Sequence, residues 1–214
     1  MSVRDTQQDE DNKYWKLVRG YLNVNKPAEP DYIDFETFLA EISPLVKEHI
    51  SVSPDRRILV AKRLSCLFST EAERHRILQS SQNKIKLFDY NGVTWHPWSE
   101  SRVIEQIRTQ LKGDFGIEFD YFLVHLYRDG DDLIGVHRDR EAMNTPIVSL
   151  SLGATRKFRI RDQNKTSGWD FEFSLESGTA LLMKIGMQNR YVHFVPQERK
   201  VDKPRINITA RMFE

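Results

Sequence analysis

Arg205-Ile-Asn-Ile-Thr-Ala-Arg-Met212 alternates polar and apolar residues without a break. Successive side chains of a β-strand point to opposite faces. Arg205, Asn207, Thr209 and Arg211 therefore share one face, and Ile206, Ile208, Ala210 and Met212 the other. Further back, six more short runs are rich in β-branched and aromatic residues: Phe119 to Tyr127, Ile147 to Leu152, Lys157 to Arg161, Trp169 to Phe173, Thr179 to Lys184 and Tyr191 to Val195. Asp-Gly, Asp-Gln-Asn-Lys-Thr-Ser-Gly, Glu-Ser-Gly and Pro-containing breaks separate them. Short strands with turn signals between them predict a sandwich or jelly roll over 119–214.

Upstream the period changes. Phe35, Phe38, Leu39, Ile42, Leu45 and Val46 recur at three- and four-residue steps, as do Val103, Ile104, Ile107 and Leu111 after Pro97 and Ser99. Both patterns predict helices with one buried stripe, the second stopping near Gly113. Ile58 to Phe68 reads equally as helix or strand. Residues 1–30, acid-rich at first and punctuated by Pro27 and Pro30, read as a flexible polar lead-in held by Tyr14, Trp15 and Leu17. Helices first and strands after make an α+β chain, its jelly-roll core (119–214) braced by an N-terminal portion (31–118) of the same domain.

The 214 residues carry 32 Lys and Arg against 31 Asp and Glu, with 39% hydrophobic residues, which excludes collagen, coiled coil and wholesale disorder. No apolar run approaches the ~20 residues that cross a bilayer, so no membrane association is expected. The opening MSVRDTQQDEDNK lacks the apolar stretch of a secretory signal, and the single Cys66 cannot form an internal disulfide. An intracellular protein, cytoplasmic or nuclear, is expected, and a monomer. Near-zero net charge argues against binding nucleic acid by bulk charge and leaves a local basic face open.

Three features carry chemistry. The polar face of 205–212 is either the wet side of an edge strand or the lining of a carboxylate pocket, since arginine offers a charged, bidentate donor pair. In His137-Arg138-Asp139, residues two apart on an extended segment turn an imidazole and a carboxylate the same way. His193, inside the apolar run Tyr191 to Val195, is either a core histidine or a third ligand. Two His and one carboxylate form the facial triad of non-haem Fe(II) oxygenases, and zinc is the rival metal.

The order His137-x-Asp139, His193, Arg205-x5-Arg211 resembles the AlkB-like Fe(II)/2-oxoglutarate dioxygenases, which repair N-alkylated nucleic-acid bases. Phe122 to Glu141 is similar to that family's central segment, Pro146 to Gly153 to its next strand, and Arg205 to Arg211 to its terminal strand. Tyr90 to Thr94 and Pro97-Trp98 are similar to the approach to the preceding helix. The resemblance covers about residues 88–213 and is faint over 17–87. It implies a double-stranded β-helix with His137, Asp139 and His193 on Fe(II), and O2 and 2-oxoglutarate as co-substrates. Arg205 is implied at the distal carboxylate of 2-oxoglutarate with Tyr127 beside it, and Asn207 and Arg211 around the metal-proximal end. His125 stands where the family usually has Asn, and Ala210 where it usually has an aromatic. His125 and Tyr127 share a strand face, so His125 is expected at the 2-oxoglutarate site as well.

On the substrate side, the resemblance makes 31–118 the helical and substrate-lid portion. Tyr90 reads either as a base-stacking ring opposite His137 or as ordinary packing beside a Gly turn. Glu141 reads as a group facing the exocyclic amine of a base or as a solvated loop charge. Arg156, Lys157, Arg159, Arg161 and Lys165 crowd one hairpin, either a phosphate-contact edge or a solvated face. Arg56, Arg57, Lys62 and Arg63 form a second cluster. The implied function is oxidative demethylation of bases such as 1-methyladenine and 3-methylcytosine in DNA, with release of formaldehyde, succinate and CO2. RNA as substrate, a non-catalytic protein that binds modified strands, and a small-molecule or protein hydroxylase are the alternatives.

Overall fold

The computed structural model describes residues 4–6, 10–52, 58–82 and 93–213. The N-terminal part contributes β1 (Arg4–Thr6), β2 (Glu10–Asp11), β3 (Trp15–Val18), α1 (Phe35–Ile42), β4 (Lys47–Val52), β5 (Ile58–Ser69), α2 (Glu71–Gln82), β6 (Thr94–His96) and α3 (Arg102–Phe115). Then follow β7 (Tyr121–Tyr127), β8 (Ile134–His137), β9 (Ile147–Gly153), β10 (Arg156–Asp162), β11 (Phe171–Leu175), β12 (Thr179–Met183), α4 (Met187–Arg190), β13 (Tyr191–Val195) and β14 (Arg205–Arg211).

Two sheets result. The larger runs β2-β3-β12-β9-β14-β7-β5-β4, with β6 parallel to β5; the smaller runs β1-β11-β10-β13-β8. From β7 onward the chain passes repeatedly between them, leaving β7, β9, β12 and β14 in the larger and β8, β10, β11 and β13 in the smaller. One core fills the space between the sheets, with Trp15, Leu17, Ile147, Leu181 and Met183 from the larger and Phe158, Ile160, Phe173 and Val195 from the smaller. A second core lies on the other face of the larger sheet, where Phe122, Val124, Leu150, Ile206 and Ile208 meet Phe38 and Ile42 of α1 and Ile104, Ile107 and Leu111 of α3.

Local chemistry sets the helix ends. The Asp34 carboxylate accepts from the Thr37 N–H (2.8 Å) and starts α1, and the Ser101 hydroxyl accepts from the Ile104 N–H (3.2 Å) and starts α3. α3 runs past Gly113 to Phe115, because the residue that adopts the left-handed conformation a helix end needs is Gly116 (φ 63°). The ambiguous run Ile58 to Phe68 is a strand. Its alternation puts Cys66 and Phe68 into the helix-covered core and turns Ser65 toward β7, opposite His125. Part of the stretch read as a flexible lead-in is built into the larger sheet: β3 pairs antiparallel with β12, and Trp15 and Leu17 are fully buried. Residues 134–137, missing from the strands expected, form β8. The run expected over 169–173 lies two residues later, at 171–175.

β14 is no edge strand. It lies between β9 and β7 with all seven residues buried, which removes the wet-edge reading of its polar face. Arg205 stands opposite Tyr127, and Asn207 opposite both His125 and Ser151. Since Ile206 and Ile208 pack under the helices, the polar face looks at the smaller sheet.

Ser101 caps α3 and also donates to Glu41 of α1 (2.6 Å), so one hydroxyl ties both bracing helices together. Ser101→Ala is expected to lower the unfolding free energy by about 1 to 2 kcal/mol, read from the midpoint of a urea titration at unchanged m-value.

Candidate active site

β13 and β8 are antiparallel neighbours, and their register sets His193 directly opposite His137. Asp139 follows two residues after the end of β8, its N–H donating to the Gln188 side chain (3.0 Å). Three sequence-distant donors thus meet. The Asp139 carboxylate lies 3.8 Å from Nε2 of His137 and 3.5 Å from Nε2 of His193, and one ligand atom from each residue falls within 4.8 Å of the others. Nδ1 of His137 stands 2.8 Å from the Gly135 carbonyl, an acceptor only, so that nitrogen donates and Nε2 keeps its lone pair. The ring of His193 stacks on Phe158, centroids 5.3 Å apart.

Electrostatics prepare these groups for a cation. Burial, with the neighbouring His193, pushes His137 down to about 3, so it is neutral at physiological pH, as a metal ligand must be. Burial alone would raise Asp139. Arg211, His193 and His137 outweigh it and hold the carboxyl well below the usual carboxylate range. Nη2 of Arg211 donates to Oδ1 of Asp139 (3.0 Å), whereas Oδ2 is buried without a hydrogen-bond donor among the described residues. A buried carboxylate oxygen lacking a donor, next to two imidazoles, is a donor set that fits Fe(II) or Zn(II). Of the three side chains only His137 is substantially open, at 28% against 4% and 1%, so the way in passes His137.

A small cavity opens beside this triad, lined in part by His125, Tyr127, Ser149, Phe158, Met183 and Asn207. Nη2 of Arg205 donates to the Ser151 hydroxyl (2.8 Å), while its Nε and Nη1 are buried with no acceptor among the described residues. Burial lowers Arg205 to about 10, still charged at neutral pH. A buried guanidinium with unmatched donors beside the Tyr127 ring fits an anionic co-substrate such as the carboxylate of 2-oxoglutarate. Asn207 spends its amide on Ser149 (2.9 Å) and the Leu150 carbonyl (2.8 Å), which fixes the floor of the cavity. His125 is buried, with Nδ1 2.8 Å from the Ser65 hydroxyl, and burial with the charges of Arg63 and Arg211 holds it well below its ordinary value.

Other expected site residues are placed differently. Glu141 is no solvated loop charge: it is buried and ion-paired with Arg211, and burial pushes its carboxyl up to about 7. Arg156 is not a phosphate contact, being 1% exposed and bonded to Glu198 and three carbonyl oxygens. Lys157 and Arg159 share Glu172 (3.0 and 2.6 Å), and Arg159 stacks over Trp169 at 3.5 Å, so much of the hairpin's positive charge is compensated. Arg161 is held to the Thr166 carbonyl (3.3 Å) within the same hairpin. Tyr90, Arg56 and Arg57 lie outside the described residues. Arg63 points inward from β5, where burial depresses it and Tyr127, Arg211, Asp132 and Asp139 lie within reach of its charge. Arg63 and Ser65 are site neighbours that a reading of β5 as a strand would have found, because residues two apart share a face.

The family described as the 2OG-Fe(II) oxygenase superfamily matches residues 54–211. The chain belongs to that superfamily. Within it the AlkB-like resemblance holds. The chain is 33% identical over 133 residues to the human DNA oxidative demethylase ALKBH2, covering 58% of this chain and 51% of that protein. The mouse ALKBH2 is 27% identical over 201 residues, covering 74% and 84%. The bovine alpha-ketoglutarate-dependent dioxygenase alkB homolog 3 is 34% identical over 140 residues, covering 58% and 47%. The chain thus spans about half the length of the human and bovine relatives it matches. A solved structure of OsALKBH1 superposes with a TM-score of 0.56 at 16% identity, covering 95% of this chain and all of the other. The superfamily's cofactor, Fe(II), and its co-substrates, 2-oxoglutarate and O2, suit the triad and the unmatched arginine.

His137→Ala, Asp139→Ala and His193→Ala should each abolish stoichiometric Mn(II) binding in calorimetry while the far-ultraviolet circular dichroism stays as in the wild type. Near-normal binding by any one would remove that residue from the metal site.

Proposed function

We propose that this protein is an Fe(II)- and 2-oxoglutarate-dependent dioxygenase that demethylates N-alkylated bases such as 1-methyladenine and 3-methylcytosine in DNA, acting as a monomer inside the cell. The observation that carries the reading is the His137–Asp139–His193 set sharing a cavity with Tyr127, against which an arginine without a carboxylate partner is stacked. Relatives named DNA oxidative demethylases, at about one-third identity, support the choice of substrate. On the same reading β7 to β14 form a double-stranded β-helix, which their division between the two sheets supports.

Bound iron would supply the activation of O2. The chain's own residues do the rest. Arg205 and Tyr127 hold the distal carboxylate, fixing which end of 2-oxoglutarate reaches the metal. Arg211 keeps Asp139 ionised and aimed at the triad. Phe158, Met183, Ile134 and Val195 wall the cavity with apolar surface that excludes water. The methylated base enters past His137, and Glu141 meets its exocyclic amine alongside the ion pair to Arg211. With the metal bound, the site would couple conversion of 2-oxoglutarate to succinate and CO2 with hydroxylation of the N-methyl carbon, one oxygen atom of O2 going to each, and the hydroxymethyl product would release formaldehyde and the unmodified base.

Incubation of 1-methyladenine and 3-methylcytosine oligonucleotides with Fe(II) and 2-oxoglutarate, followed by mass spectrometry, should show the loss of one methyl group from DNA. Loss only from RNA strands would transfer the assignment to RNA, and loss from neither would refute it. Arg205→Lys keeps the charge and loses the planar fork, so it should raise the 2-oxoglutarate requirement and leave oligonucleotide affinity unchanged.

With Ser65 donating to Nδ1, the imidazole of His125 would present an Nε2–H to the cavity. His125→Asn should retain 2-oxoglutarate binding, and His125→Ala should lose roughly 1 to 3 kcal/mol of it, as for a hydrogen bond to a charged group. Dissociation constants with Mn(II) in place of iron decide the matter, and equal wild-type values for both variants would leave His125 a packing residue only.

A further inference from the structure

Arg156 and Arg205 are as deeply buried as Trp15, each 1% exposed. The guanidinium of Arg156 is a four-way donor. Nε meets Oε2 of Glu198 (3.1 Å), Nη1 donates to the carbonyl of Asp129 (2.9 Å), and Nη2 to those of Asp132 and Pro196 (both 2.8 Å). These acceptors belong to two loops, 128–133 between β7 and β8 and 196–204 between β13 and β14. Gly130 locks the same loops backbone to backbone: its N–H donates to the Val201 carbonyl (2.7 Å) and its carbonyl accepts from the Glu198 N–H (2.8 Å). The contact is so close that a Cβ at position 130 would lie 1.9 Å from the Glu198 carbonyl oxygen.

The first loop leaves directly from Tyr127, and the second delivers Arg205. Both guanidiniums stand against the Tyr127 ring, Arg156 at 5.5 Å from its centroid and Arg205 at 5.1 Å. Arg156 has Glu198 as counter-ion, whereas among the described residues no carboxylate lies within ion-pair distance of Arg205, on which Glu198 acts only at longer range. Two neighbouring buried cations with one anion leave a charge that an incoming carboxylate would compensate.

We propose that Arg156 is a positioning residue of the 2-oxoglutarate site: by clasping both loops it sets the Tyr127–Arg205 pair at the spacing that selects a 2-oxo acid with a distal carboxylate. The inference rests on the function proposed above and adds to it the determinant of co-substrate choice. It acts through Tyr127 and Arg205 and needs no contact between Arg156 and the ligand. Lysine at 156 would keep the charge but could not serve four acceptors in two loops.

The test is calorimetric titration of the Mn(II)-loaded protein with 2-oxoglutarate and with 2-oxobutanoate, which shares the metal-binding end and lacks the second carboxylate. Wild type should prefer the diacid. Arg156→Lys should weaken 2-oxoglutarate binding by about tenfold or more, the loss that follows when a hydrogen bond to a charged group is misaligned. Its 2-oxobutanoate and Mn(II) affinities should stay as in wild type, a split that general loosening of the fold would not produce. Glu198→Asp keeps the counter-charge, shortens the reach to Nε of Arg156 and leaves its three carbonyl bonds intact, and it serves if Arg156→Lys does not fold. It should lower the diacid preference by a smaller factor in the same direction. If wild type discriminates and the folded variants discriminate equally well, Arg156 is structural only and the proposal falls. If wild type binds no 2-oxoglutarate, the proposed function falls first and takes this inference with it.

Discussion

A charge taken out of water is costly unless a partner of opposite sign is held at hydrogen-bond distance. In this protein that constraint is concentrated on the face of the larger sheet that looks at the smaller one. Arg211 sits there between two carboxylates, Asp139 and Glu141, all of them buried. Removing one partner from such a group typically costs about 3 to 5 kcal/mol, whereas an exposed pair such as Lys112–Glu118, screened by solvent, contributes little. The ion-pair group therefore holds β14 to the segment that follows β8, and the triad geometry follows from that attachment.

Asp139 and Glu141 lie two residues apart and both face Arg211, yet their environments separate them: one is held strongly ionised, the other pushed up to about 7. A carboxylate kept charged can ligate a cation, and one near neutrality can donate or accept a proton at physiological pH. A single arginine thus stands beside two acids with different chemical capabilities.

The terminal strand was legible because its alternation spans eight residues, and His137-x-Asp139 because two residues apart on an extended segment fixes direction. His193 was legible only as a member of a set, since nothing in Tyr191 to Val195 reveals which strand lies opposite. Arg156 was misread for a physical reason. Its acceptors are backbone carbonyls in remote loops and a carboxylate 42 positions away, and sequence proximity to Lys157, Arg159 and Arg161 says nothing of them. Glu172 escaped the same reading, because the charge that compensates the hairpin comes from the neighbouring strand rather than from the turn. Ile58–Ser69 carries apolar residues at spacings that suit either period, and only its place between β4 and β7 decides it. Trp15 and Leu17 were recognised as attachment points, but a four-residue strand is too short to announce itself within a polar segment.

The sheet order has a consequence for how the chain reaches this state. β14, latest of the strands in chain order, occupies a central place in the larger sheet, and β3, among the earliest, pairs with β12 through contacts such as Leu17 opposite Leu181. A chain emerging from the ribosome can form α1 and α3, but β7 and β9 stay without the strand that joins them until residues 205–211 appear. Pairings between such distant segments fold slowly and leave strand edges open meanwhile. During synthesis the protein therefore passes through a long interval with sticky edges and no assembled pocket, so yield in cells should depend on chaperone supply more steeply than the equilibrium stability of the finished fold would suggest.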